Sequence, residues 1–184
     1  IKNVNINESR IGIIKILKMM NCNIVFKNKK IYKGEKISDI IVKSSKFLRP
    51  INCPSSLNSS AIDELILIFL VAGIKVKGIS NFKKLGELNK KESPRLDIAI
   101  KFLRMIGVKV LRNKDDIKIY GNTKLNLNGN YHIKNFLKDH RIFMMSCVAA
   151  LTLGGNWKID DKDSVKTSFP KFLNILKNLG AQIN

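Results

Sequence analysis

The segment Leu103-Arg-Met-Ile-Gly-Val-Lys-Val110 recurs twice in this 184-residue chain, as Leu17-Lys-Met-Met-Asn-Cys-Asn-Ile24 and as Leu176-Lys-Asn-Leu-Gly-Ala-Gln-Ile183. Each copy has the pattern of an amphipathic helix that ends at a turn and is followed by a strand. The turn residues are Asn21, Gly107 and Gly180, and Gly or Asn just past a helix suits the left-handed C′ position. The copies begin 86 and 73 residues apart. Repeats of this size are supersecondary units, several of which pack into one domain.

The rest of each unit shows the same alternation of helices and strands. Apolar residues at helical spacing predict helices at about residues 10–20, 62–73, 94–106, 140–153 and 169–179. Hairpins are predicted at 24–32, turning at 27–30, and at 108–120, turning at 113–116, with further strands at 1–6, 74–79 and 157–159. This alternation predicts an α/β or α+β fold. Because no linker rich in Pro, Gly or Ser interrupts the chain, we expect residues 1–184 to form a single domain with units at about 1–43, 44–121 and 122–184.

The composition is that of a globular protein with a strong basic excess. The 34 Lys and Arg residues oppose 14 Asp and Glu, giving a net charge of +20, and 45% of the residues are hydrophobic. Lys, Ile and Asn make up 75 residues, or 41%, and their A/T-rich codons explain much of this charge without nucleic acid as a partner. The sequence contains no run of 18 or more apolar residues, so it predicts no membrane span. The three cysteines are scattered and no secretory signal stands at the front, so we expect a cytoplasmic location.

Charged residues gather where helices are predicted to begin. The candidate caps are Ser9, Ser60, Ser93 with Pro94 behind it, Asp139, and Thr167 or Ser168. Asp63 and Glu92 then lie at helix N-termini, where the helix dipole favours carboxylates. Arg95 and Arg141 do not fit this explanation, because a cation there is unfavourable by roughly 0.3–1 kcal/mol. Two of only six arginines in such positions indicate an anion-binding site, with chance placement as the alternative.

Four motifs resemble those of the 5-enolpyruvylshikimate-3-phosphate synthase family and occur in the family's order. They are Ile62-Asp-Glu64, Lys91-Glu-Ser-Pro-Arg95, Asp139-His-Arg-Ile-Phe-Met144, and Ser168-Phe-Pro170 followed by Phe172. The resemblance covers essentially the whole chain, aligned to the C-terminal part of a family member. It implies an enolpyruvyl-transferase lobe of repeated βαβαββ units in a pseudo-threefold arrangement, with the first unit incomplete. Since the chain begins with Ile1 inside a predicted strand, we expect it to be a fragment.

The resemblance also implies the reaction, which belongs to the shikimate pathway. The 5-hydroxyl of shikimate 3-phosphate attacks C2 of phosphoenolpyruvate, and phosphate then leaves the tetrahedral intermediate. Addition needs a base at the hydroxyl and an acid at the vinyl methylene. By resemblance, Asp63 holds the attacking hydroxyl and takes its proton. Glu92 protonates the methylene and later removes a proton.

Binding roles follow from the same resemblance. Arg95 and Arg141 clamp phosphoenolpyruvate, and His140 lies beside it as a hydrogen-bond donor. Lys91 approaches the shikimate ring hydroxyls. Some family members carry a phosphoenolpyruvate-binding lysine immediately before Ser/Thr-Phe-Pro. A threonine occupies that position here, which makes Lys166, one place earlier, a candidate. The implied partners are the two substrates and the N-terminal lobe of the same enzyme, and no metal or organic cofactor is implied.

The chain departs from the family at Pro94, where Asp is usual, and at Asn89, where Arg is common. The first helical position tolerates proline, so we expect the geometry to be kept and a polar contact to be lost. Three alternatives stay open: the sister enzyme that uses UDP-N-acetylglucosamine, a basic nucleic-acid-binding domain, and a lobe that has lost its activity. The motif pair favours the shikimate enzyme, and the chain has no glycine-rich RNA motif or zinc finger. We expect the isolated chain to be inactive or nearly so, because the other lobe supplies many substrate contacts.

Overall fold

The helix ends of all three copies of the repeated segment adopt one conformation in a computed structural model that describes residues 1–45 and 48–183. A strand follows the first two copies, but the strand predicted in the third copy does not form at residues 181–183. The turn residues have φ angles of 68° at Asn21, 87° at Gly107 and 95° at Gly180. In each copy the amide after the turn residue donates to the carbonyl oxygen five residues earlier, at 2.9 to 3.0 Å. The amide of the turn residue itself donates to the carbonyl oxygen three residues earlier. This pair of bonds is the Schellman motif, and it confirms the predicted helix ends.

Strands and helices alternate along the described residues, as the sequence predicts. The elements are β1 (Val4–Asn5), α1 (Gly12–Met19), β2 (Asn23–Tyr32), β3 (Glu35–Lys43), α2 (Asn58–Ala61), α3 (Leu65–Ile74), β4 (Gly78–Phe82), α4 (Arg95–Met105), β5 (Lys109–Asn113), β6 (Asp116–Gly121), β7 (Asn130–Ile133), α5 (His140–Leu153), β8 (Asn156–Ile159) and α6 (Phe172–Asn178). Short 3-10 helices occupy Ser55–Leu57, Gly86–Lys90 and Lys162–Val165.

The strands form three small sheets. In the first, β3 lies between β1 and β2, and in the second, β6 lies between β4 and β5, with antiparallel pairing throughout. In the third, β7 and β8 are parallel and are connected through α5. One sheet therefore lies in each of the three predicted units, whose boundaries stay a prediction.

The two hairpins differ in how well the sequence predicts them. The hairpin of β5 and β6 turns between Asn113 and Asp116, as predicted. The turn predicted at residues 27–30 is wrong, because β2 continues to Tyr32 with only a shift of register there. The chain reverses instead at Lys33 and Gly34, whose φ angles are 48° and 80°. Two successive positive φ angles suit a two-residue hairpin loop.

Three predicted helix starts are too early. Helix α1 begins at Gly12, and the Ser9 hydroxyl donates to Asn7 instead of capping it. Ser60 lies inside α2 and bonds to the carbonyl of Leu57, so it does not cap α3. Helix α6 begins at Phe172 rather than near Thr167 or Ser168. Because α3 in turn extends to Ile74, the strand predicted at 74–79 lies at Gly78–Phe82.

Helix α3 lies at the centre of the core. Eight of its ten residues are buried, and it packs against α1, α4, α5 and β6. Phe69 meets Phe82 edge-on, with ring centroids 4.9 Å apart. Gly121, at the end of β6, approaches this layer so closely that a Cβ would overlap the carbonyl oxygen of Val76. The end of α3 therefore lies directly against the end of β6.

No single helix in the described part of the chain is long and apolar enough to cross a membrane. Two consecutive helical segments, Ser55–Ala61 and Leu65–Ile74, would be long and apolar enough only if they were joined, and the chain bends by 116° between them. The second member of that pair is α3, which lies in the protein core.

Left-handed backbone is not confined to glycine in this chain. Among the described residues, ten non-glycine residues have φ between 48° and 68°: Asn3, Asn21, Asn28, Lys33, Lys84, Lys114, Asn135, Leu137, Lys138 and Asp161. This conformation costs most L-residues roughly 1–2 kcal/mol, and asparagine and aspartate tolerate it best. Four of the ten are exposed lysines. Their side chains lack the short polar group with which asparagine and aspartate form a local hydrogen bond in this conformation.

Candidate active site

Charged side chains from three separate parts of the chain meet where α3, α4 and α5 begin. This charged cluster consists of Asp63 and Glu64 in the turn before α3, Lys91, Glu92 and Arg95 at the start of α4, and Asp139, His140 and Arg141 at the start of α5. Contacts within it join residues up to 78 positions apart in sequence, from Asp63 to Arg141. The structure thus brings together six of the seven predicted site residues.

Arg95 lies at the centre of the charged cluster, with its side chain only 2% exposed. Its Nε donates to Asp139 Oδ2 at 2.8 Å and its Nη1 to Asp63 Oδ1 at 2.9 Å. Its Nη2 lies 3.4 Å from Glu92 Oε2. Burial alone would lower the pKa of Arg95, but the hydrogen bonds that it donates to Asp139 raise it, so the guanidinium stays charged.

Asp139 is completely buried and performs two tasks at once. As the N-cap of α5 it accepts a hydrogen bond from the Arg141 amide at 2.9 Å, which confirms the predicted cap. Its other oxygen accepts from the Ser93 hydroxyl at 2.8 Å and from Arg95. Burial would raise the pKa of Asp139, but the hydrogen bonds from Arg95 and Ser93 lower it, so this carboxylate is ionised at neutral pH.

The Asp63 carboxylate has three cationic neighbours. Besides Arg95, the Arg141 Nη2 lies 3.3 Å from Asp63 Oδ2 and the Lys91 ammonium lies 3.9 Å from Oδ1. Arg141 Nη1 also reaches Glu64 Oε1 at 3.3 Å, so one guanidinium bridges two successive carboxylates. Burial raises the pKa of Glu64, opposed by the charge of Arg141. Asp63 is therefore held at a fixed place among cations and is still about a quarter exposed.

Glu92 and His140 form the more open side of the charged cluster. Glu92 is 53% exposed, and its Oε2 lies 3.1 Å from His140 Nδ1 as well as 3.4 Å from Arg95 Nη2. A carboxylate that is both exposed and oriented by two neighbours can exchange a proton with a bound ligand. The predicted acid and the predicted hydrogen-bond donor are thus adjacent.

Lys166 is the predicted site residue that the structure leaves apart. It follows the 3-10 helix Lys162–Val165, is 70% exposed, and its ammonium lies 3.0 Å from Asp163. Among the described residues, no ion pair or hydrogen bond of Lys166 reaches the charged cluster. Its role in binding stays a prediction that rests on the motif alone.

A metal ion is not favoured at the one place where ligand atoms gather in the described part of the chain. Glu92, Asp139 and His140 offer three such atoms within 4.8 Å of one another. The Asp139 oxygens already accept hydrogen bonds from Ser93, Arg95 and the Arg141 amide. A cation would have to displace these donors and lie beside a buried guanidinium.

The start of α4 shows how the chain accommodates Pro94. Ser93 does not cap this helix, because its hydroxyl is bonded to Asp139, and Pro94 itself is the N-cap residue. The cap comes from Asn89, whose Oδ1 accepts from the amides of Leu96 and Asp97 at 3.1 and 3.3 Å. Sequence reasoning missed this cap, although an Asn shortly before a helix is its usual signal. The first turn of α4, which contains Arg95, is therefore capped although Pro94 occupies the N-cap position.

The charged cluster is nearly neutral by itself. It holds four carboxylates against three permanent cations, Lys91, Arg95 and Arg141. Both arginines that the sequence assigns to an anion are already paired with carboxylates. An anionic ligand must therefore compete with Asp63, Glu64 and Glu92 for these guanidiniums, or bring further cations with it.

Comparison with known proteins gives one consistent result. The family model for EPSP synthase (3-phosphoshikimate 1-carboxyvinyltransferase) matches residues 1–176. A 3-phosphoshikimate 1-carboxyvinyltransferase of Ruthia magnifica is 38% identical over 98% of this chain and 40% of its own length. The enzyme of that name from Petrotoga mobilis is 35% identical over 97% of this chain, again 40% of its own length. The chain thus spans about two-fifths of the length of the curated relatives that it matches.

Solved structures agree with this result. EPSP synthase from Acinetobacter baumannii superposes on the whole chain with a TM-score of 0.90 at 31% identity, using 42% of its own length. The enolpyruvyl transferase NikO from Streptomyces tendae matches with a TM-score of 0.63 at 16% identity, which shows a shared fold. The predicted resemblance and the mixed helix and sheet fold are confirmed, and this chain belongs to the EPSP synthase family.

Proposed function

We propose that residues 1–184 are one lobe of an enzyme that transfers enolpyruvyl from phosphoenolpyruvate to the 5-hydroxyl of shikimate 3-phosphate and releases phosphate. The observation that carries this proposal is the charged cluster itself, in which an oriented carboxylate, Asp63, lies among cations within a chain of this family. Three free cysteines fit a reducing compartment, so we propose a cytoplasmic enzyme.

Asp63, which is half-buried, and Glu92, which is exposed, divide the proton transfers between them. Asp63 accepts the proton of the attacking hydroxyl, and its contacts with three cationic neighbours fix its direction. Glu92 delivers a proton to the vinyl methylene and takes one back when phosphate leaves. His140 orients Glu92 through the 3.1 Å contact between its Nδ1 and Oε2. Each transfer requires a donor and an acceptor within hydrogen-bond reach, which this arrangement provides.

Anion recognition requires Arg95 and Arg141 to exchange their internal partners for the substrate. Developing negative charge in the transition state is stabilised by cations that are already fixed in place. Because the charged cluster is nearly neutral, three negative groups on the two substrates exceed what its cations can balance. The further cations, and most contacts to shikimate 3-phosphate, come from the other lobe in this proposal. The two-fifths share of the relatives' length supports that division.

The test is phosphate release from phosphoenolpyruvate in the presence of shikimate 3-phosphate. It is measured on this chain alone, on a separately produced complementary lobe, and on the two mixed. We expect release only in the mixture and its loss with Asp63→Ala. Asp160→Ala is the matched control, since Asp160 pairs with His132 outside the charged cluster, and it should retain release.

Other outcomes separate the alternatives. Release with UDP-N-acetylglucosamine in place of shikimate 3-phosphate would assign the chain to the sister reaction. No release from lobes that demonstrably associate would indicate a lobe that has lost its activity. In that case Pro94→Asp, which restores the family's usual residue at the start of α4, is the first variant to measure.

A further inference from the structure

Asp139 is the one member of the charged cluster with no access to solvent, and every one of its acceptor positions is used. Its Oδ2 accepts from the Ser93 hydroxyl and the Arg95 Nε, each at 2.8 Å. Its Oδ1 accepts from the Arg141 amide at 2.9 Å and lies 3.4 Å from Arg95 Nη2. An ionised carboxylate offers about four lone-pair positions. Asp139 therefore has no free position for a substrate proton or a metal ion.

The contacts of Asp139 determine how the Arg95 guanidinium is turned. The Nε and Nη2 edge faces Asp139, so the plane of the guanidinium is fixed by two contacts to one carboxylate. Such side-on pairing with a carboxylate sets direction as well as energy. The opposite end, with Nη1 2.9 Å from Asp63 and Nη2 3.4 Å from Glu92, is left to face these two carboxylates.

Asp139 also ties together the two helix starts that carry the arginines. Its bonds to Ser93 and Arg95 reach 46 and 44 residues along the chain, to the start of α4. Its hydrogen bond from the Arg141 amide fixes the first turn of α5, which carries the Arg141 side chain. One carboxylate thus fixes the place of one guanidinium directly and of the other through its backbone.

From this geometry we infer that Asp139 is a positioning residue for phosphoenolpyruvate recognition, which it serves by holding the Nε edge of Arg95 so that only the Nη end faces the ligand. The inference rests on the proposed function, since phosphoenolpyruvate is the ligand that Arg95 would contact. It differs from a purely structural role as a helix cap, because it makes the effect of Asp139 depend on Arg95.

Three variants measured in the reconstituted two-lobe enzyme separate these roles. Asp139→Asn keeps a good helix cap and removes the charge that holds Arg95. Arg95→Gln removes the guanidinium, and the double variant removes both charges together. We expect Asp139→Asn to raise the KM for phosphoenolpyruvate at least tenfold, with the KM for shikimate 3-phosphate changed less than twofold. We expect the double variant to lie within threefold of Arg95→Gln, because both changes act on one interaction.

Two results would overturn the inference. One is an unchanged KM for phosphoenolpyruvate in Asp139→Asn, and the other is an effect of Asp139→Asn in the Arg95→Gln background as large as in the wild type. If Asp139→Asn does not fold because a buried guanidinium loses its partner, the comparison of Arg95→Gln with the double variant still decides. A KM that rises a further tenfold in the double variant would mean that Asp139 acts by another route.

A second measurement on the chain alone is independent of turnover. The Nε–Hε proton of Arg95 is donated to a fully buried carboxylate, so its NMR signal should exchange with water slowly. We expect exchange to be at least tenfold faster in Asp139→Asn, and no change would count against the inference. Absence of phosphate release by the wild-type enzyme, with this signal protected, would contradict the proposed function and leave the geometry of Arg95 established.

Discussion

Replacing Asp63 by Asn should make this chain bind anions more tightly. In the free protein, Asp63 occupies the Nη1 of Arg95 at 2.9 Å, the Nη2 of Arg141 at 3.3 Å and the ammonium of Lys91 at 3.9 Å. A phosphate or carboxylate ligand needs the same donors, so it competes with this side chain. Asparagine has nearly the same size but no charge, and it removes the competitor without opening a cavity.

The magnitude follows from the three contacts. Ion pairs that are partly exposed contribute about 0.2–1 kcal/mol each after solvent screening, and Asp63 is 26% exposed. Three such contacts, each near the middle of this range, together contribute about 1–2 kcal/mol, and every 1.4 kcal/mol changes a dissociation constant tenfold. We therefore expect the Kd for phosphoenolpyruvate and for inorganic phosphate to fall roughly 5- to 30-fold. Doubling or tripling the ionic strength should reduce the gain, because these charges are partly screened.

The assay is isothermal titration of each anion into the wild-type chain, Asp63→Asn and Asp160→Asn. Asp160→Asn is the matched control, because it makes the same change in net charge at a carboxylate that pairs with His132 outside the charged cluster. Its Kd should stay within about twofold of the wild type. Equal or weaker anion binding by Asp63→Asn would refute the reasoning, as it would show that Asp63 does not compete for these cations. The reconstituted enzyme with Asp63→Asn should still lose turnover, because the proton acceptor is gone.

Gly121→Ala should lower the free energy of unfolding by about 1–3 kcal/mol, because the added Cβ would overlap a backbone carbonyl oxygen. Urea unfolding measures this change. The control Gly129→Ala, whose Cβ would meet only ordinary contacts, should leave the free energy of unfolding nearly unchanged. The lowered pKa of Asp139 stabilises the fold above its unfolded pKa near 4. This contribution should disappear as the pH falls through the folded pKa, and acid unfolding curves of Asp139→Asn should be flatter below about pH 4. Burial raises the pKa of Cys147 to about 12, while Cys22 is only half-buried with a smaller rise. Iodoacetamide at pH 8 should therefore modify Cys22 first, as read by mass spectrometry, and equal rates would contradict this order.

The sequence predicts best those features that depend on neighbouring residues. The three helix ends are examples, because the turn residue alone decides whether the Schellman motif can form. The hairpin of β5 and β6 is another. The turn predicted at residues 27–30 failed because β-propensity and pairing with β3 carry the strand through to Tyr32. Nothing local distinguishes that lysine-rich segment from a loop.

The features that the sequence does not reveal depend on distant partners. Ser93 looks like a helix cap, but its hydroxyl is bonded to a carboxylate 46 residues away. Asn89, which looks like a loss from the family motif, caps α4 in its place. Six residues that the motifs singled out lie together in the charged cluster, and their roles stay a prediction. They did not show that Arg95 is buried, or that Glu64 shares Arg141 with Asp63.

Because lysines occupy left-handed positions, substitution at these positions should raise the free energy of unfolding of this chain. Lys33, Lys84, Lys114 and Lys138 each hold a conformation that glycine adopts without strain. Glycine codons begin with two guanines, whereas lysine codons are almost pure adenine, so A/T pressure opposes the substitution that the backbone favours. The same A/T-rich codon usage that gives this protein its positive charge thus also places lysine at turn positions that glycine would occupy without strain. Glycine at these four positions is a direct route to a more stable lobe with a lower net charge, in which the charged cluster is untouched.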